Sequence, residues 1–275
     1  MTGRRVRVND MRLALAQISS GADPAANLTT LTGEVEEAAA QGANLVVFPE
    51  ATMCRFGVPL HPIAEPLDGP WASAVADLAS RHRLTIIAGM FTPADDGRVF
   101  NTLLITGPDG TRTGYHKIHL YDAFGFAESS TVAPGDQLVT VEVEGHTVGM
   151  ATCYDLRFPD QFVALAARGS ELIVVPTSWG SGPGKLHQWQ TLATARALDC
   201  ASYVAAVGQA LPDDEEIRGA KAPTGIGFSQ LTDPFGTVVS TLGETGATVV
   251  VDVDLSTVAK AREQLGVLAN RRPIS

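Results

Sequence analysis

Short apolar runs alternate with longer amphipathic segments along most of this chain. The runs at residues 45–48 and 172–175 consist only of aliphatic and aromatic residues, which is typical of strands buried on both faces. Each run follows a helical segment that ends at a glycine, and each is followed by a proline, which cannot continue a central strand. The pattern predicts an α/β fold of short buried strands and helices.

The same succession of elements occurs twice. Each copy is predicted to contain a strand, a helix, the buried strand, a second helix, a further strand and a hairpin with a Pro-x-Gly turn. The first copy places strands at 12–17 and 84–89, helices at 26–41 and 71–82, and the hairpin at 103–111; the second places strands at 147–152 and 203–208, helices at 159–168 and 186–199, and the hairpin at 230–238. The two turns lie 126 residues apart, and the helix-ending Gly42 and Gly169 lie 127 apart.

This duplication predicts two related α/β halves, each of about six strands. Helices are expected to cover one face of each sheet, which leaves the other faces to pack on one another. No low-complexity linker separates the halves, so we expect a single domain over residues 10–275. Residues 1–9 are expected to be disordered.

Composition and charge restrict the class of protein further. Hydrophobic residues make up 45% of the 275 residues and charged residues 18%, which supplies a sizeable core and excludes a mainly disordered chain. The net charge of −10 argues against a nucleic-acid partner, because phosphate binding needs clustered positive charge. No apolar run approaches the roughly 18 residues that span a bilayer, and the N-terminal one is too short for a signal-peptide core. We therefore expect a soluble cytoplasmic protein with no membrane partner.

The three cysteines are candidates for thiol chemistry. An odd number without a Cys-x-x-Cys spacing excludes a disulfide framework and a four-cysteine zinc site. Cys153 directly follows the strand at 148–152 and precedes the predicted helix at 158–168, whose N-terminal field is expected to favour the thiolate. The alternative is a buried core thiol, and Cys54 and Cys200 are assigned that simpler role.

Glu50 and Lys117 are the other candidates. Glu50 directly follows a buried strand, where α/β folds place reactive groups, although most such residues are solvated carboxylates. Lys117 lies between His116 and His119 in a segment that otherwise suggests an exposed loop. The two histidines have a common spacing, and no cysteine or carboxylate cluster completes a metal site, so no metal is predicted.

Three motifs resemble the signature motifs of the nitrilase superfamily, the carbon–nitrogen hydrolases. They are Phe-Pro-Glu at 48–50, His-Lys-Ile-His-Leu-Tyr-Asp at 116–122 and Cys-Tyr-Asp-Leu-Arg-Phe-Pro at 153–159. They occur in the family's order, and the resemblance extends over residues 10–272. It implies an α-β-β-α sandwich that pairs into αββα-αββα homodimers or higher homo-oligomers. The helices at 158–168 and 188–199 are expected at the seam.

The resemblance also implies roles for individual residues. Cys153 would attack an amide carbonyl and form a thioester, and Glu50 would move the protons. Lys117 and the backbone N–H of Tyr154 would hold the oxyanion, and Glu128 would orient Lys117. No metal or organic cofactor is implied. Two further readings remain open: a thiol hydrolase that pairs Cys153 with a histidine, and a pseudoenzyme that only binds ligands.

The substrate implied is a small, linear, carboxylate-bearing amide. The residues after Cys153 resemble those of omega-amidases and deaminated-glutathione amidases, whereas nitrilases more often carry Trp-Glu there. The segments 122–128 and 182–190 depart from the omega-amidase pattern, so an N-carbamoyl amidohydrolase or a nitrilase with the same three residues stays open. The candidate substrate-binding residues are Arg157, Trp179, Lys185 and His187. The simpler expectations are an ion pair of Arg157 with Asp155 or Asp160, and a solvated loop charge for Lys185.

Overall fold

The computed structural model describes residues 10–272, so the expectation for residues 1–9 lies outside the described residues. The strands in this range are β1 Asp10–Gln17, β2 Leu45–Val47, β3 Thr85–Pro93, β4 Val99–Thr106, β5 Arg112–His116, β6 Asp122–Ala123, β7 Phe126–Ala127, β8 Val132–Ala133, β9 Thr140–Val143, β10 His146–Met150, β11 Leu172–Thr177, β12 Tyr203–Gly208, β13 Gln230–Thr232, β14 Val238–Thr241 and β15 Ala247–Asp254. The helices are α1 Pro24–Ala40, α2 Pro70–His82, α3 Pro159–Ala167, α4 Lys185–Cys200, α5 Glu215–Arg218 and α6 Ser256–Leu265. Two 3-10 helices span Glu128–Ser130 and Cys153–Arg157.

The duplication is visible in the order of the strands. The first sheet runs β15-β1-β2-β3-β4-β5, with β8 added beside β4, and the second runs β9-β10-β11-β12-β13-β14. In each sheet three neighbouring strands are parallel, β1 to β3 and β10 to β12, and the outer strands pair antiparallel, except for the short β8, which is parallel to β4. The two related halves predicted from the sequence are therefore confirmed.

The two sheets pack face to face and bury most of the aliphatic side chains. One core cluster combines Leu15 and Ile87 from the first sheet with Met150 and Val174 from the second. The opposite face of the first sheet packs against α1 and α2, and that of the second packs against α3 and α4. These clusters build the four layers α-β-β-α, as predicted.

Local sequence signals set the helix ends. Asp23 caps α1 by accepting a hydrogen bond from the Ala25 N–H, and Pro24 occupies the first helical position, where no N–H is needed. Gly42 and Gly169, which follow α1 and α3, adopt φ of 78° and 97°, values that side chains rarely tolerate. The predicted helices agree with these bounds to within two residues.

Two features differ from the prediction. The strand expected at 147–152 ends at Met150, because the chain turns into the 3-10 helix that begins at Cys153. The last strand, β15, leaves the second half and pairs with β1, so the first sheet is completed by the C-terminal part of the chain.

Within residues 10–272 no helix is both long and apolar enough to cross a membrane. The homodimer and the cytoplasmic location stay predictions.

Candidate active site

One pocket forms where strands of both sheets end. Glu50 follows β2, Cys153 follows β10 and Ser178 follows β11, and each lies just beyond the carboxyl end of a parallel strand. Lys117 follows β5, and Glu128 begins a 3-10 helix beside it. All five residues line one pocket. The structure thus brings together the four side chains that the sequence singled out for catalysis.

A buried cluster of opposite charges forms the floor of this pocket. The Nζ atom of Lys117 donates to Glu50 Oε1 at 2.9 Å and to Glu128 Oε2 at 2.8 Å. The three side chains are at most 2% exposed. Asn101 on β4 joins the same cluster, because its Nδ2 donates to Oε1 of Glu50 at 2.7 Å and to Oε1 of Glu128 at 3.0 Å. Sequence reasoning missed Asn101, whose one signal is a polar amide inside an apolar strand.

The Glu50 loop is fixed from several sides. The Oε2 atom of Glu50 accepts a hydrogen bond from the backbone N–H of Ser178 at 2.7 Å. The backbone carbonyl of Glu50 accepts one from Nε2 of Gln209 at 3.0 Å. Gly89 on the neighbouring β3 is required there, because a Cβ at that position would lie 2.3 Å from the backbone nitrogen of Ala51. Glu50 is therefore held by groups from both sheets and has little freedom to turn away from the pocket.

Cys153 sits in a strained turn. Its φ is 47°, which is unusual for a residue with a side chain, and its Sγ lies 3.7 Å from the carbonyl oxygen of Ser178. The turn is held by Asp155, a fully buried carboxylate that accepts from the Thr152 N–H at 2.8 Å and the Tyr115 hydroxyl at 2.6 Å. This network holds the thiol in the pocket that Glu50 also lines.

Burial dominates the electrostatics of the cluster. It raises the pKa of the Cys153 thiol well above its ordinary value, and the Glu50 carboxylate raises it further while Lys117 opposes both. Burial likewise raises the pKa of Glu50, against the lowering effect of Lys117. Burial disfavours the Lys117 ammonium too, but Glu128 and Glu50 outweigh it and raise the pKa of Lys117 well above its ordinary value.

The direction of the pKa shift at Cys153 opposes the thiolate that its position in the sequence favours. Cys153 is only 7% exposed, and a 3-10 turn of five residues, Cys153–Arg157, lies between it and the predicted helix α3. A short turn supplies a weak dipole, and it does not offset the loss of water around the sulfur. Burial thus favours the neutral thiol, in a pocket that the Glu50 carboxyl group also lines.

Comparison with known proteins decides the family. The carbon–nitrogen hydrolase family model matches residues 12–263. The chain belongs to the carbon–nitrogen hydrolase family. This hydrolase is 56% identical to the hydrolase Rv0480c of Mycobacterium tuberculosis over 268 residues, which cover 95% of each chain. It is 37% identical over 240 residues to a deaminated glutathione amidase of Escherichia coli O157:H7, with 86% of this chain and 87% of the relative covered.

Two more comparisons agree with this assignment. The omega-amidase NIT2 of Mus musculus is 33% identical over 272 residues, which cover 96% of each chain. The solved structure of Nit3 from Saccharomyces cerevisiae, a member of branch 10 of the nitrilase superfamily, has the same fold. Its TM-score is 0.84 at 24% identity, with 98% of this chain and all of that chain covered. The resemblance to the nitrilase superfamily and the prediction of a carbon–nitrogen hydrolase are confirmed.

Three of the four predicted substrate-binding residues line the mouth of the hydrolase pocket. Arg157 lies with its guanidinium carbon 5.3 Å from the ring centre of Trp179 and 5.9 Å from that of Tyr154. Lys185 places its Nζ 3.6 Å from the ring centre of Phe124 and donates to the hydroxyl of Tyr121 at 3.2 Å. The hydrolase therefore has two cations over an aromatic wall above Cys153.

The ion pair expected for Arg157 is not formed within residues 10–272. Asp155 points away from the pocket into the network below Cys153, and Asp160 pairs with Arg271 at 3.2 Å. Arg157 instead donates from Nη2 to Oε1 of Gln188 at 2.6 Å. Lys185 is also not a solvated loop charge, because it begins α4 and contacts the pocket wall. Burial and the charge of Arg157 lower the pKa of Lys185.

His187 is the predicted residue that the structure does not bring to the pocket. Its side chain is exposed on α4, and it does not line the pocket of the hydrolase. Lys185 and Trp189 are four residues apart and share the inner face of α4, whereas a residue two positions from each points to the opposite side. His187 therefore lies apart from the three other candidate substrate-binding residues.

Proposed function

We propose that this hydrolase is an amidase that cleaves the terminal amide of a small, linear, carboxylate-bearing substrate and releases ammonia. The observation that carries the proposal is that Cys153, Glu50 and Lys117 line one pocket together with Arg157 and Lys185. The similarity to a deaminated glutathione amidase and an omega-amidase supports the same substrate class.

In the first half of the proposed reaction, Glu50 takes the thiol proton while Cys153 Sγ bonds to the amide carbon. The carbonyl oxygen becomes an oxyanion, which the Lys117 ammonium and the backbone N–H of Tyr154 stabilise. Protonated Glu50 then passes its proton to the amide nitrogen. The carbon–nitrogen bond breaks, ammonia leaves, and a thioester remains on Cys153.

In the second half, water replaces ammonia. Glu50 takes a proton from the water, whose oxygen attacks the thioester carbon, and the same donors hold the second oxyanion. The carbon–sulfur bond breaks, and the Cys153 sulfur recovers a proton from Glu50 as the carboxylic acid leaves. Glu128 keeps Lys117 charged and aimed, since it accepts a hydrogen bond from Nζ at 2.8 Å.

The walls of the pocket favour an anionic substrate tail. Arg157 and Lys185 are the cations at the mouth, and the guanidinium of Arg157 is fixed by Gln188 and two aromatic rings. A net charge of −10 does not steer anions from a distance, so the preference must come from these local groups. We propose that they hold the substrate carboxylate while its amide end reaches Cys153.

A panel of substrates tests this function. Ammonia release and kcat/KM are measured with α-ketoglutaramate, succinamate, a deaminated-glutathione analogue, an N-carbamoyl amino acid and a simple nitrile, with Cys153→Ser as the blank. We expect the carboxylate-bearing amides to react fastest. Fastest turnover of the nitrile or the carbamoyl compound would reassign the substrate class and leave the Glu50, Lys117 and Cys153 machinery in place. No turnover of any compound would favour a binding subunit.

A further inference from the structure

Asn101 contacts all three charged residues of the cluster. It is 1% exposed and lies on β4, between β3 and β5 in the first sheet. Its Nδ2 donates both hydrogens, one to Glu50 and one to Glu128. Its backbone carbonyl accepts the Lys117 N–H at 2.9 Å. No other described side chain donates to both carboxylates except that of Lys117.

The orientation of the amide shows which end matters. The Oδ1 of Asn101 is buried and has no hydrogen-bond partner, and such a group costs stability. Turning the amide over would place this oxygen against two carboxylate oxygens, which is worse. The observed orientation leaves Oδ1 without a partner, but it lets each of the two N–H groups donate to a carboxylate.

A neutral donor suits this cluster better than a second cation. Two carboxylates face one ammonium, so the cluster carries excess negative charge that burial penalises. A second cation would hold Glu50 so firmly as a carboxylate that it would no longer accept a proton readily. An amide stabilises the carboxylate form through hydrogen bonds and adds no charge, which leaves Glu50 basic.

We propose that Asn101 is a positioning residue that holds Glu50 deprotonated and aimed at Cys153 by donating simultaneously to Glu50 and Glu128. The inference rests on the proposed role of Glu50 as the base. The groups that face Glu50 are Lys117, Glu128 and Cys153, and Tyr121, Arg157 and Lys185 lie further out along the same pocket.

Removing the amide has a defined effect on the pH profile. The Asn101 hydrogen bond favours the charged form of Glu50 and lowers its pKa. Without it the pKa of Glu50 rises, so the base becomes active only at higher pH. For Asn101→Ala we expect the acidic limb of kcat/KM against pH to move up by roughly one unit, because a lost hydrogen bond to a carboxylate has that size. kcat near neutral pH should fall about tenfold or more, and KM should change less than about threefold.

Three further variants, Asn101→Asp, Asn44→Ala and Glu50→Gln, complete the test. Asn101→Asp keeps the shape of the side chain but replaces its donors with a third carboxylate. The acidic limb of its kcat/KM profile should therefore move further than that of Asn101→Ala. If Asn101→Ala does not fold, Asn101→Asp serves as the test variant. Asn44→Ala is the matched control. Asn44 accepts the backbone N–H of Arg12 at the far end of β2, and it contacts none of the three charged residues of the pocket cluster. Its profile should superimpose on that of the unmodified enzyme.

Glu50→Gln separates the two hypotheses. If Glu50→Gln keeps its turnover, the proposed role of Glu50 fails. If Glu50→Gln is inactive and the Asn101 variants keep the unmodified acidic limb, the inference about Asn101 is overturned alone. A lower melting temperature in an Asn101 variant with an unshifted limb would show a merely structural role and would also overturn it.

Discussion

The two halves of this enzyme share a scaffold but divide the chemistry. The first half supplies the charged cluster, and the second supplies the proposed nucleophile Cys153 and the backbone N–H of Ser178 that holds Glu50. Equivalent positions of the two halves follow from the strand registers and the helix-ending glycines. Glu50 of the first half corresponds to Thr177 of the second, and Cys153 of the second half corresponds to Ile18 of the first. Neither Thr177 nor Ile18 carries a group suited to the other half's task. The buried strands are equivalent, whereas the loops at their ends have specialised.

The largest effect is expected at the nucleophile. Cys153→Ala should lower kcat by roughly three orders of magnitude or more, since no other group forms the proposed thioester. Cys200→Ala is the matched control, because Cys200 is a buried thiol of the same half on α4. Its turnover should stay within about threefold of the unmodified enzyme. Equal losses in the two variants would contradict a special role for Cys153.

The charged half is tested at Glu50 and Lys117. Glu50→Gln and Lys117→Ala should each lower kcat by about 100-fold or more, because one removes the proposed general base and the other a proposed oxyanion donor. Thr177→Val alters the position that matches Glu50 in the second half and should leave kcat nearly unchanged. Circular dichroism and thermal unfolding verify the folded fraction. If Thr177→Val cost as much as Glu50→Gln, the halves would not be specialised as described.

A smaller effect is expected at the mouth of the pocket. Arg157→Ala should raise KM for carboxylate-bearing amides by about tenfold and leave kcat less affected, because it removes a charged contact at a partly exposed site. Lys185→Ala should act in the same direction with a smaller change. Turnover of an uncharged amide of similar length is the control. Equal changes in KM for charged and uncharged substrates would contradict carboxylate binding by these residues.

Alkylation distinguishes the three thiols without a substrate. Iodoacetamide near neutral pH should modify Cys153 fastest, in step with loss of activity, because Glu50 can take the thiol proton there. Burial raises the pKa of Cys54 and of Cys200 to about 11, so both should react slowly. The rate at Cys153 should fall as the pH drops through the raised pKa of Glu50, and Glu50→Gln should slow it. Full activity with Cys153 fully modified would refute its role as nucleophile.

Assembly gives the least perturbing test. We expect a homodimer or a multiple of one, with α3 and α4 at the seam, where alanines permit close helix approach. Ala167 on α3 and Leu198 on α4 are exposed in the single chain. Light scattering at micromolar concentration should give at least twice the chain mass of 28.9 kDa. A mass near that of one chain would contradict the prediction.

The sequence was most informative where the signal is local. Apolar runs, glycine stops and Pro-x-Gly turns lie within a few residues of the elements they define, and so the duplicated scaffold was predictable. Glu50, Lys117 and Cys153 were found because each lies in a short motif. Asn101 lies in no motif, and its partners Glu50 and Glu128 are 51 and 27 residues away.

Two expectations, for Cys153 and for the ion pair of Arg157, differ from the structure because burial is determined only by the folded chain. The state of Cys153 depends on the loss of water around its sulfur, and the Arg157 contact depends on where Asp155 points after packing. Helix periodicity would have placed His187 away from the face that carries Lys185, so that difference was predictable. The pairing of β15 with β1 left no local trace, because it joins residues more than 200 positions apart.

That pairing has a consequence for how the protein is made. Strand β15 closes the first sheet along all eight residues of β1, so the sheet that carries Glu50, Asn101 and Lys117 is incomplete until residue 254 has been synthesised. A ribosome-bound chain that ends earlier presents β1 as an open edge, whose aliphatic side chains invite pairing with other chains. We therefore expect that the two halves do not fold as separable units. They should reach the native state together, late in translation, and the many long-range contacts predict slow folding.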